Sequence, residues 1–426
     1  MHVAPKCRSG HMKIIEVNKS VQHMFKQSLS FMIQHQSILL ILMMIGIIIS
    51  VPLLIQLTDY SYNSDMPSHV RILVRSLHNQ TIPTYSIYYF LLWMGSLFSL
   101  DNLHRFQISS FLILLASKLL TLFFTYIVAF NWIKKATAKH QLTLVELYQI
   151  QIKSLILSIL MFVAMPILDP FDILRIYLLH ISPNVWHNST TILSMPFVIA
   201  TYYWAINYLT KKTDSNKFWL TIFLTLATLC KPNYSLVFIP VFSLFSTLEN
   251  FSWKFSIIKN KITELLIIFG PSIFIFLLQY ASIFIGRSST TMADHSLAFA
   301  PFYVWKVHTS NILLSLVRSF ILPISLIVVN WKKIKSKIEI SFAVVVQILA
   351  LFQAIMLVEV VNGSYSIAGN NFWGSHMALY LLMLSSLIYI FSHPVNYRPF
   401  FYVLISLHFL SGLIYISKIA VGMNYY

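Results

Sequence analysis

Long apolar segments follow one another along most of this chain, and they constrain its fold more strongly than any other feature. A helix needs roughly 20 apolar residues to cross a bilayer. Nine segments approach or exceed this length, at 37–57, 107–131, 150–168, 191–209, 262–285, 311–330, 338–358, 375–391 and 399–421. Hydrophobic residues make up 57% of the chain, charged residues only 10%, and the mean hydropathy is +0.73. The predicted fold class is therefore an all-α polytopic membrane protein.

Three shorter apolar segments, at about 86–100, 218–230 and 234–248, decide how often the chain crosses the membrane. Lys and Arg in short loops belong on the cytoplasmic side. Basic clusters occur at 134–139, 211–217, 254–261, 332–337 and 398. All of them face the cytoplasm if the second and third short segments cross and the first does not cross fully. The prediction is about eleven transmembrane helices plus interfacial or re-entrant helices in the first outer loop, with the N-terminus inside.

The net charge of +17 comes mainly from the basic residues of these loops. Such a charge is typical of nucleic-acid-binding proteins, but most basic residues here occupy loops between apolar segments, so no nucleic-acid partner is expected. Residues 1–36 are polar and basic and are predicted to form a cytoplasmic segment. Residues 37–426 are predicted to form a single transmembrane domain in a plasma (inner) membrane. The sequence contains no phosphate-binding glycine loop, serine-hydrolase elbow or zinc-protease motif.

Four segments fall on the outer face in this topology and contain most of the acids and histidines. They are 58–106, 169–190, 286–310 and 359–374. In the first, the spacing predicts a helix over 65–77 that begins with Asp65. Its apolar face would lie on the membrane surface and consists of Val70, Leu73, Val74 and Leu77. Asp65 and His69 are four residues apart and would share another face as a candidate site, although a capping carboxylate beside a surface histidine explains the same spacing.

The second and fourth outer segments supply further candidates. Pro183 and Asn184 predict a turn, and the aromatic and amide side chains after it suit a sugar, which offers hydroxyl groups and an apolar face. An aromatic belt at the membrane interface is the alternative. Glu359 is predicted to end one helix and His376 to open the next. The candidate ligand-binding residues of these two segments are Asp169, Asp172, Trp186, His187, Asn188, Glu359, Trp373 and His376.

Lys231 lies between two short apolar segments, where the chain is predicted to turn back at the outer surface. The Pro232 that follows leaves backbone groups unpaired, which is tolerated beside protein or water. An ionisable residue in a spanning region indicates a functional site, and a lysine here could hold a lipid phosphate. A side chain that reaches up to the interface is the alternative. Arg287 of the third outer segment could balance a phosphate or pyrophosphate in the same way, or could simply be solvated.

Three stretches of the chain resemble the GT-C superfamily of integral-membrane glycosyltransferases, which use polyprenyl-phosphate-linked sugars. They are SDMPSHVRILVRSLHNQTIPTYSIYYFLLW, ISPNVWHNSTTILSMPF and LATLCKPNYSLVFIPVF. The resemblance implies a first helix, a large outer loop with amphipathic helices, and Asp65 at the position of the catalytic acid of the family. The rest of the chain is similar only in being hydrophobic.

This resemblance implies transfer of a sugar from a polyprenyl-phosphate donor to a lipid-linked or cell-envelope glycan acceptor. Asp65 would act as general base on the acceptor hydroxyl, and Lys231 and Arg287 would offset the charge of the departing phosphate. Many members have paired acids, whereas Ser64 and Met66 flank Asp65 here. A divalent metal is therefore left open as a cofactor.

Other interpretations compete with the glycosyltransferase. A polysaccharide polymerase or ligase would use arginines as its main catalytic groups, and here Asp65 is as prominent as any arginine. A flippase or transporter of lipid-linked sugars would place charged residues along the middle of several helices, where Lys118 and Lys153 are the clear examples. A membrane subunit without activity of its own is the remaining alternative. The glycosyltransferase is the preferred interpretation.

Overall fold

The computed structural model describes residues 34–62, 64–79, 86–97, 104–137, 142–169, 180–248, 254–281, 295–309 and 311–423. Over these residues the chain is a bundle of α-helices with one small sheet. The helices are α1 (Gln36–Thr58), α2 (Asp65–His78), α3 (Ser86–Ser96), α4 (Arg105–Thr137), α5 (Leu144–Val163), α6 (Ser189–Thr210), α7 (Asp214–Cys230), α8 (Asn233–Leu248), α9 (Phe255–Tyr280), α10 (Tyr303–His308), α11 (Ile312–Ile334), α12 (Ile338–Met356), α13 (Trp373–Ser392) and α14 (Arg398–Ala420). The strands are β1 (His295–Phe299), β2 (Leu357–Val361) and β3 (Ser364–Tyr365).

Nine helices of the described chain are long and apolar enough to cross a membrane, namely α1, α4, α5, α6, α9, α11, α12, α13 and α14. The chain is a multi-pass helical membrane protein, as the sequence predicts. The two shorter predicted crossings are α7 and α8, with 17 and 16 residues, and the total of eleven crossings stays a prediction. The helix α3 has 11 residues, so it is about 16 Å long and covers half of a hydrocarbon core. This length agrees with the expectation that 86–100 does not cross fully.

The helix α13 is the centre of the bundle. Every residue from Trp373 to Ile390 is buried, whereas only 22% of the most apolar stretch of α9 is buried. Around α13 lie α4, α5, α6, α8, α11 and α12. A helix that is apolar on all sides must be enclosed by lipid or protein, and α13 is enclosed by protein. Residues at its first turn are therefore held by several helices at once.

Gly412 of α14 lies against the end of α5 with no room for a side chain. A Cβ atom there would be 1.8 Å from the carbonyl oxygen of Val163 and 2.7 Å from its carbonyl carbon. We expect Gly412→Ala to lower the free energy of unfolding by about 1–3 kcal/mol, because two backbones would have to move apart. Gly270→Ala in α9 is the matched control, since nothing lies within 4 Å of its Cβ position. Thermal unfolding of both variants in one detergent measures the difference, and equal midpoints would contradict the prediction.

The amphipathic helix α2 lies where the sequence predicts it, but its apolar face is used differently. Val70 and Leu73 are each 3% exposed and belong to the protein core, while Val74 and Leu77 are 48% and 45% exposed. The expectation that all four residues lie on the membrane surface is therefore wrong for Val70 and Leu73. Their contacts pack α2 against α1, α4 and α6. This packing fixes the position of Asp65 at the start of the helix.

A small antiparallel sheet, in the order β1-β2-β3, adds to the predicted all-helical fold. Asn362 and Gly363 join β2 to β3 with φ angles of 49° and 77°, as a two-residue type I′ hairpin turn requires. The helix predicted over 338–358 ends at Met356. Glu359 therefore lies in β2 and not at the end of a helix, which corrects the prediction.

Candidate functional site

A cavity of about 770 Å³ opens between α2, the start of α6, the turn from α7 to α8, and the residues around β2. Its volume is in the range of sites that hold small ligands. The charged and polar wall includes Asp65, His69, Asn188, Thr190 and Lys231. The apolar wall, from α8, α9 and α12, includes Leu236, Pro240, Phe276, Tyr280 and Leu349. The cavity thus combines charged groups with a surface that suits a hydrocarbon chain.

Asp65 is the first residue of α2, and Ser64 holds the start of that helix. Oγ of Ser64 accepts the N–H of Met66 at 3.3 Å and donates to the carbonyl oxygen of Leu57 at 2.6 Å, which ties α2 to the end of α1. A carboxylate in a first helical turn is stabilised by the positive end of the helix dipole. Oδ2 of Asp65 accepts a hydrogen bond from Asn188 at 2.9 Å. Asp65 is therefore held in one orientation at the wall of the cavity.

Asn188 caps α6 and links the two charged residues of the site. Its Oδ1 accepts the N–H of Thr191 at 3.0 Å and an N–H of Lys231 at 2.9 Å. Its Nδ2 donates to Asp65. Only one orientation of the amide turns its oxygen toward the donors and its nitrogen toward the carboxylate, so the partners determine it. Asn188 is a bridge between a carboxylate and an ammonium group.

Lys231 follows the last residue of α7, and it is 4% exposed. Pro232 has no N–H and cannot continue the helix, so the chain turns there as predicted. Nζ of Lys231 donates to Asn188 and, at 3.1 Å, to Oγ1 of Thr190. It lies 4.5 Å from the centre of the Trp373 ring. These contacts offset part of the cost of burying an ammonium group, and a charge kept at that cost beside a cavity indicates a functional site.

Asp65, Asn188 and Lys231 form one chain of hydrogen bonds, although 123 and 43 residues separate successive members in the sequence. One amide stands between the carboxylate and the ammonium group, so the two charges offset each other. Removing one of the two charges leaves the other without its opposite charge, which is unfavourable in a partly buried site. Chemically, this arrangement can accept a proton at Asp65 and hold an anion near Lys231.

His69 lies one turn beyond Asp65 on α2 and lines the same cavity, which confirms the prediction that the two share a face. Its Nδ1 lies 2.7 Å from Oη of Tyr89 in α3. Burial lowers the pKa of His69 to about 4; the nearby Asp65 carboxylate opposes this effect and the Lys231 ammonium adds to it. His69 is therefore neutral at pH 7 and serves as a hydrogen-bonding group, not as a cation.

A second carboxylate, Glu359 of β2, lines the same cavity. Its Oε1 lies 2.8 Å from Nδ1 of His295, and its Oε2 accepts an N–H of Asn370 at 2.5 Å. Gln353 and Asn371 also line the cavity. Carboxylate and amide groups together can bond the hydroxyl groups of a sugar. The position of Glu359 therefore fits a ligand-binding role, although it lies in a strand.

Trp186, His187 and His376 lie behind the wall of the cavity. Trp186 is completely buried, with Nζ of Lys118 3.6 Å above the centre of its ring. The centres of the His187 and His376 rings lie 5.8 Å and 5.5 Å from that of Trp373. Trp373 itself lines the cavity. The structure thus places His187 and His376 against Trp373, and Trp186 against Lys118. None of the three residues lines the cavity.

Asp169 is not among the residues that line the cavity. Its Oδ2 is 2.5 Å from Nη1 of Arg318 in α11, and this ion pair ties the segment after α5 to α11. The structure does not bring Asp169 together with Asp65. Asp172 and Arg287 lie outside the described residues, so their roles stay predictions.

A divalent metal does not fit the side chains of this site. Among the described residues, no three His, Cys, Asp or Glu side chains form a group that could hold a metal ion. Asn188 turns its NH₂ group toward Asp65, whereas a divalent cation needs oxygen ligands around it. The ammonium group of Lys231 lies next in the chain. The reaction proposed below therefore uses only side chains of this protein.

Several residues of the site carry no motif, and no sequence pattern predicted them. Gln279 and Gln353 lie in the apolar helices α9 and α12 and line the cavity. Polar residues inside spanning segments usually face a cavity or the bundle interior, so this signal could have found them. Thr190 and Tyr89 could not be found this way, because their roles depend on partners from other parts of the chain.

Comparisons of the chain with models of protein families, with curated proteins and with solved structures found no match. The chemistry of the site itself is that of a carboxylate, a bridging amide, a buried cation and an apolar wall.

Proposed function

We propose that this protein is a membrane glycosyltransferase of the GT-C type, which moves a sugar from a polyprenyl-phosphate donor to a lipid-linked or cell-envelope glycan acceptor. The reaction takes place at the outer face of a plasma (inner) membrane. The observation that carries this proposal is the chain Asp65–Asn188–Lys231 at the wall of a cavity whose other side is apolar. A base, a cation and a surface for a lipid are thus within one site.

The buried cation suits a phosphate leaving group. An ammonium group has three N–H donors, and Asn188 and Thr190 accept from Lys231 in this structure. A phosphate oxygen that enters the cavity can accept the remaining N–H or replace Thr190. Because Lys231 is almost completely shielded from water, its attraction for an anion is stronger than that of a surface lysine.

In the proposed step, the acceptor hydroxyl gives its proton to Asp65 and its oxygen bonds to the anomeric carbon of the donor sugar. The bond from that carbon to the phosphate oxygen breaks, and its electron pair leaves with the polyprenyl phosphate. Lys231 offsets the negative charge that develops on this oxygen. Oδ2 of Asp65 is engaged by Asn188, and Oδ1 is the atom that would accept the proton. General base catalysis of this kind contributes about 10²–10⁴-fold to a rate.

The apolar wall of the cavity supports a lipid-linked donor. Side chains of α8, α9 and α12 form it, and α9 lies at the edge of the bundle, with 22% of its most apolar stretch buried. A polyprenyl chain can therefore leave the cavity along α9 and continue into the bilayer. The sugar would lie nearer to Glu359, Gln353 and Asn371, which offer a carboxylate and amide groups to its hydroxyls.

Transfer of radiolabelled sugar tests this proposal. Membranes with the protein and matched membranes without it receive a panel of polyprenyl-phosphate sugars, and labelled acceptor is separated from labelled donor. We expect label in the acceptor only when the protein is present. Label that crosses the membrane without transfer would overturn the proposal in favour of a flippase. Glycan growth without use of a polyprenyl monophosphate would overturn it in favour of a polymerase or ligase.

A further inference from the structure

A second cavity, of about 330 Å³, lies at the opposite end of the bundle, between the ends of α6 and α8 and the first turns of α9. The helix α6 is capped by Asn188 of the candidate site and has 22 residues, so its far end is about 33 Å away at 1.5 Å per residue. This is about the thickness of a bilayer core. The second cavity thus lies one membrane thickness from Asp65, beside the basic loops that are predicted to face the cytoplasm.

Basic and hydroxyl side chains form one wall of this second cavity. Lys212 follows α6, Lys261 lies in the second turn of α9, and Ser246 and Thr247 come from α8. Ser246 is 2% exposed, and its Oγ has no hydrogen-bond partner in the part of the chain that the structure describes. A buried polar group without a partner is unfavourable. A polar ligand that reaches Ser246 would remove this cost.

Lys261 is oriented for binding by the carboxylate beside it. Its Nζ donates to Oε2 of Glu264 at 3.0 Å, and the hydroxyl of Tyr208 donates to Oε1. Both carboxylate oxygens thus have donors, and the charge of Glu264 is offset by Lys261. Glu264 takes one of the three donors of the Lys261 ammonium group. Lys212 adds a second ammonium group to this wall.

The other wall is apolar and continues onto the outer surface of the bundle. Ile257, Ile258 and Ile262 of α9 line the cavity and are 42%, 36% and 53% exposed. Exposed isoleucines on a membrane helix lie against acyl chains of the bilayer. A single ligand with a charged head and hydrocarbon chains would match both walls at once.

We infer that the second cavity binds the phosphate group of a membrane phospholipid from the cytoplasmic leaflet. The phosphate oxygens accept from Lys212, Lys261 and Ser246, and the acyl chains lie along the isoleucines of α9. A free phosphate ion offers the same oxygens but would leave the apolar wall unused, which is why a lipid is the better match. This inference is independent of the proposed glycosyltransferase activity, because it concerns the other side of the membrane.

Native mass spectrometry of the purified full chain in detergent tests the inference. The probes are phosphatidylglycerol and diacylglycerol with the same acyl chains, which differ in the phosphate-containing head. We expect phosphatidylglycerol to be retained at least about tenfold better by the wild type, and this preference to be lost in Lys261→Gln and reduced in Lys212→Gln. Lys259→Gln is the matched control, since Lys259 is exposed on the same helix and does not line the cavity.

The variants distinguish loss of lipid binding from loss of folding. A competition experiment with inorganic phosphate distinguishes a phospholipid from a free phosphate ion. Glutamine at 261 can still donate to Glu264, and Lys212 is exposed, so both variants should fold. Equal retention of phosphatidylglycerol by Lys261→Gln, Lys212→Gln and Lys259→Gln would overturn the inference. Displacement of the lipid by millimolar inorganic phosphate would assign the cavity to the free anion and overturn the lipid assignment, whereas retention of the lipid supports it.

Discussion

Asp65→Asn is expected to lower sugar transfer by about 10²–10⁴-fold at unchanged protein level. Asparagine cannot take up the proton that the acceptor hydroxyl must lose. Its side-chain oxygen can still accept from Asn188, so the hydrogen-bond chain to Lys231 is retained. The measurement is the initial rate at which radiolabelled sugar passes from a polyprenyl-phosphate donor to acceptor, in membranes with matched expression.

Asp59→Asn is the matched control for this prediction. Asp59 follows α1, and its Oδ1 accepts the N–H of Ser61 at 2.7 Å and the hydroxyl of the same residue at 2.5 Å. It belongs to the same outer segment but does not line the cavity, so transfer should stay near the wild-type rate. If Asp65→Asn is as active as Asp59→Asn, Asp65 is not the base, even where the protein is a glycosyltransferase.

Lys231→Met is expected to lower transfer by at least about 10²-fold. Losing one group that stabilises a developing negative charge typically costs 10²–10³-fold in rate. Methionine has a similar length and suits a site that is 4% exposed, so the change removes the charge with little change in volume. Lys306→Met, at an exposed position of α10 outside the cavity, is the control and should transfer normally. The assay is the same, and a wild-type rate in Lys231→Met would exclude the proposed role of the cation.

The double variant Asp65→Asn/Lys231→Met separates loss of chemistry from loss of stability. In Lys231→Met alone, the half-buried carboxylate of Asp65 loses the opposite charge at the other end of the hydrogen-bond chain, which destabilises the site. In the double variant both charges are absent, so thermal unfolding in detergent should show it to be at least as stable as Lys231→Met. Transfer should nevertheless remain lost. Recovery of transfer together with stability would mean that the two residues serve the fold and not the reaction.

The spanning helices, the pair Asp65 and His69, and the turn at Lys231 could be predicted from the sequence. Each of them depends only on residues that are close together in the chain. Apolar length determines a spanning helix, and the limits of α1 and α6 are within two residues of the predicted ones. Asp65 and His69 share a face because residues four apart do so on any helix. The turn at Lys231 follows from the missing N–H of Pro232. Each of these features needs only a short stretch of sequence.

The remaining parts of the site depend on contacts between distant residues, which no local pattern shows. Asn188 meets Asp65 across 123 residues, and Arg318 meets Asp169 across 149. No change in hydropathy marks the end of α12 at Met356, because the strand β2 that follows is equally apolar. One signal for that strand was present, since an Asn-Gly pair between short valine-rich and serine-rich stretches favours a hairpin.

The fully enclosed helix α13 has a consequence for how the protein is made. Asp65, Asn188 and Lys231 are synthesised before Trp373, whose ring covers the ammonium group from the start of α13. At about 5–20 residues per second, synthesis of the chain between Lys231 and Trp373 takes on the order of ten seconds. Throughout this time the nascent chain contains Asp65, Asn188 and Lys231 but lacks the Trp373 ring that covers the ammonium group. The ammonium group of Lys231 is therefore covered only after the start of α13 has been synthesised and has packed into the bundle.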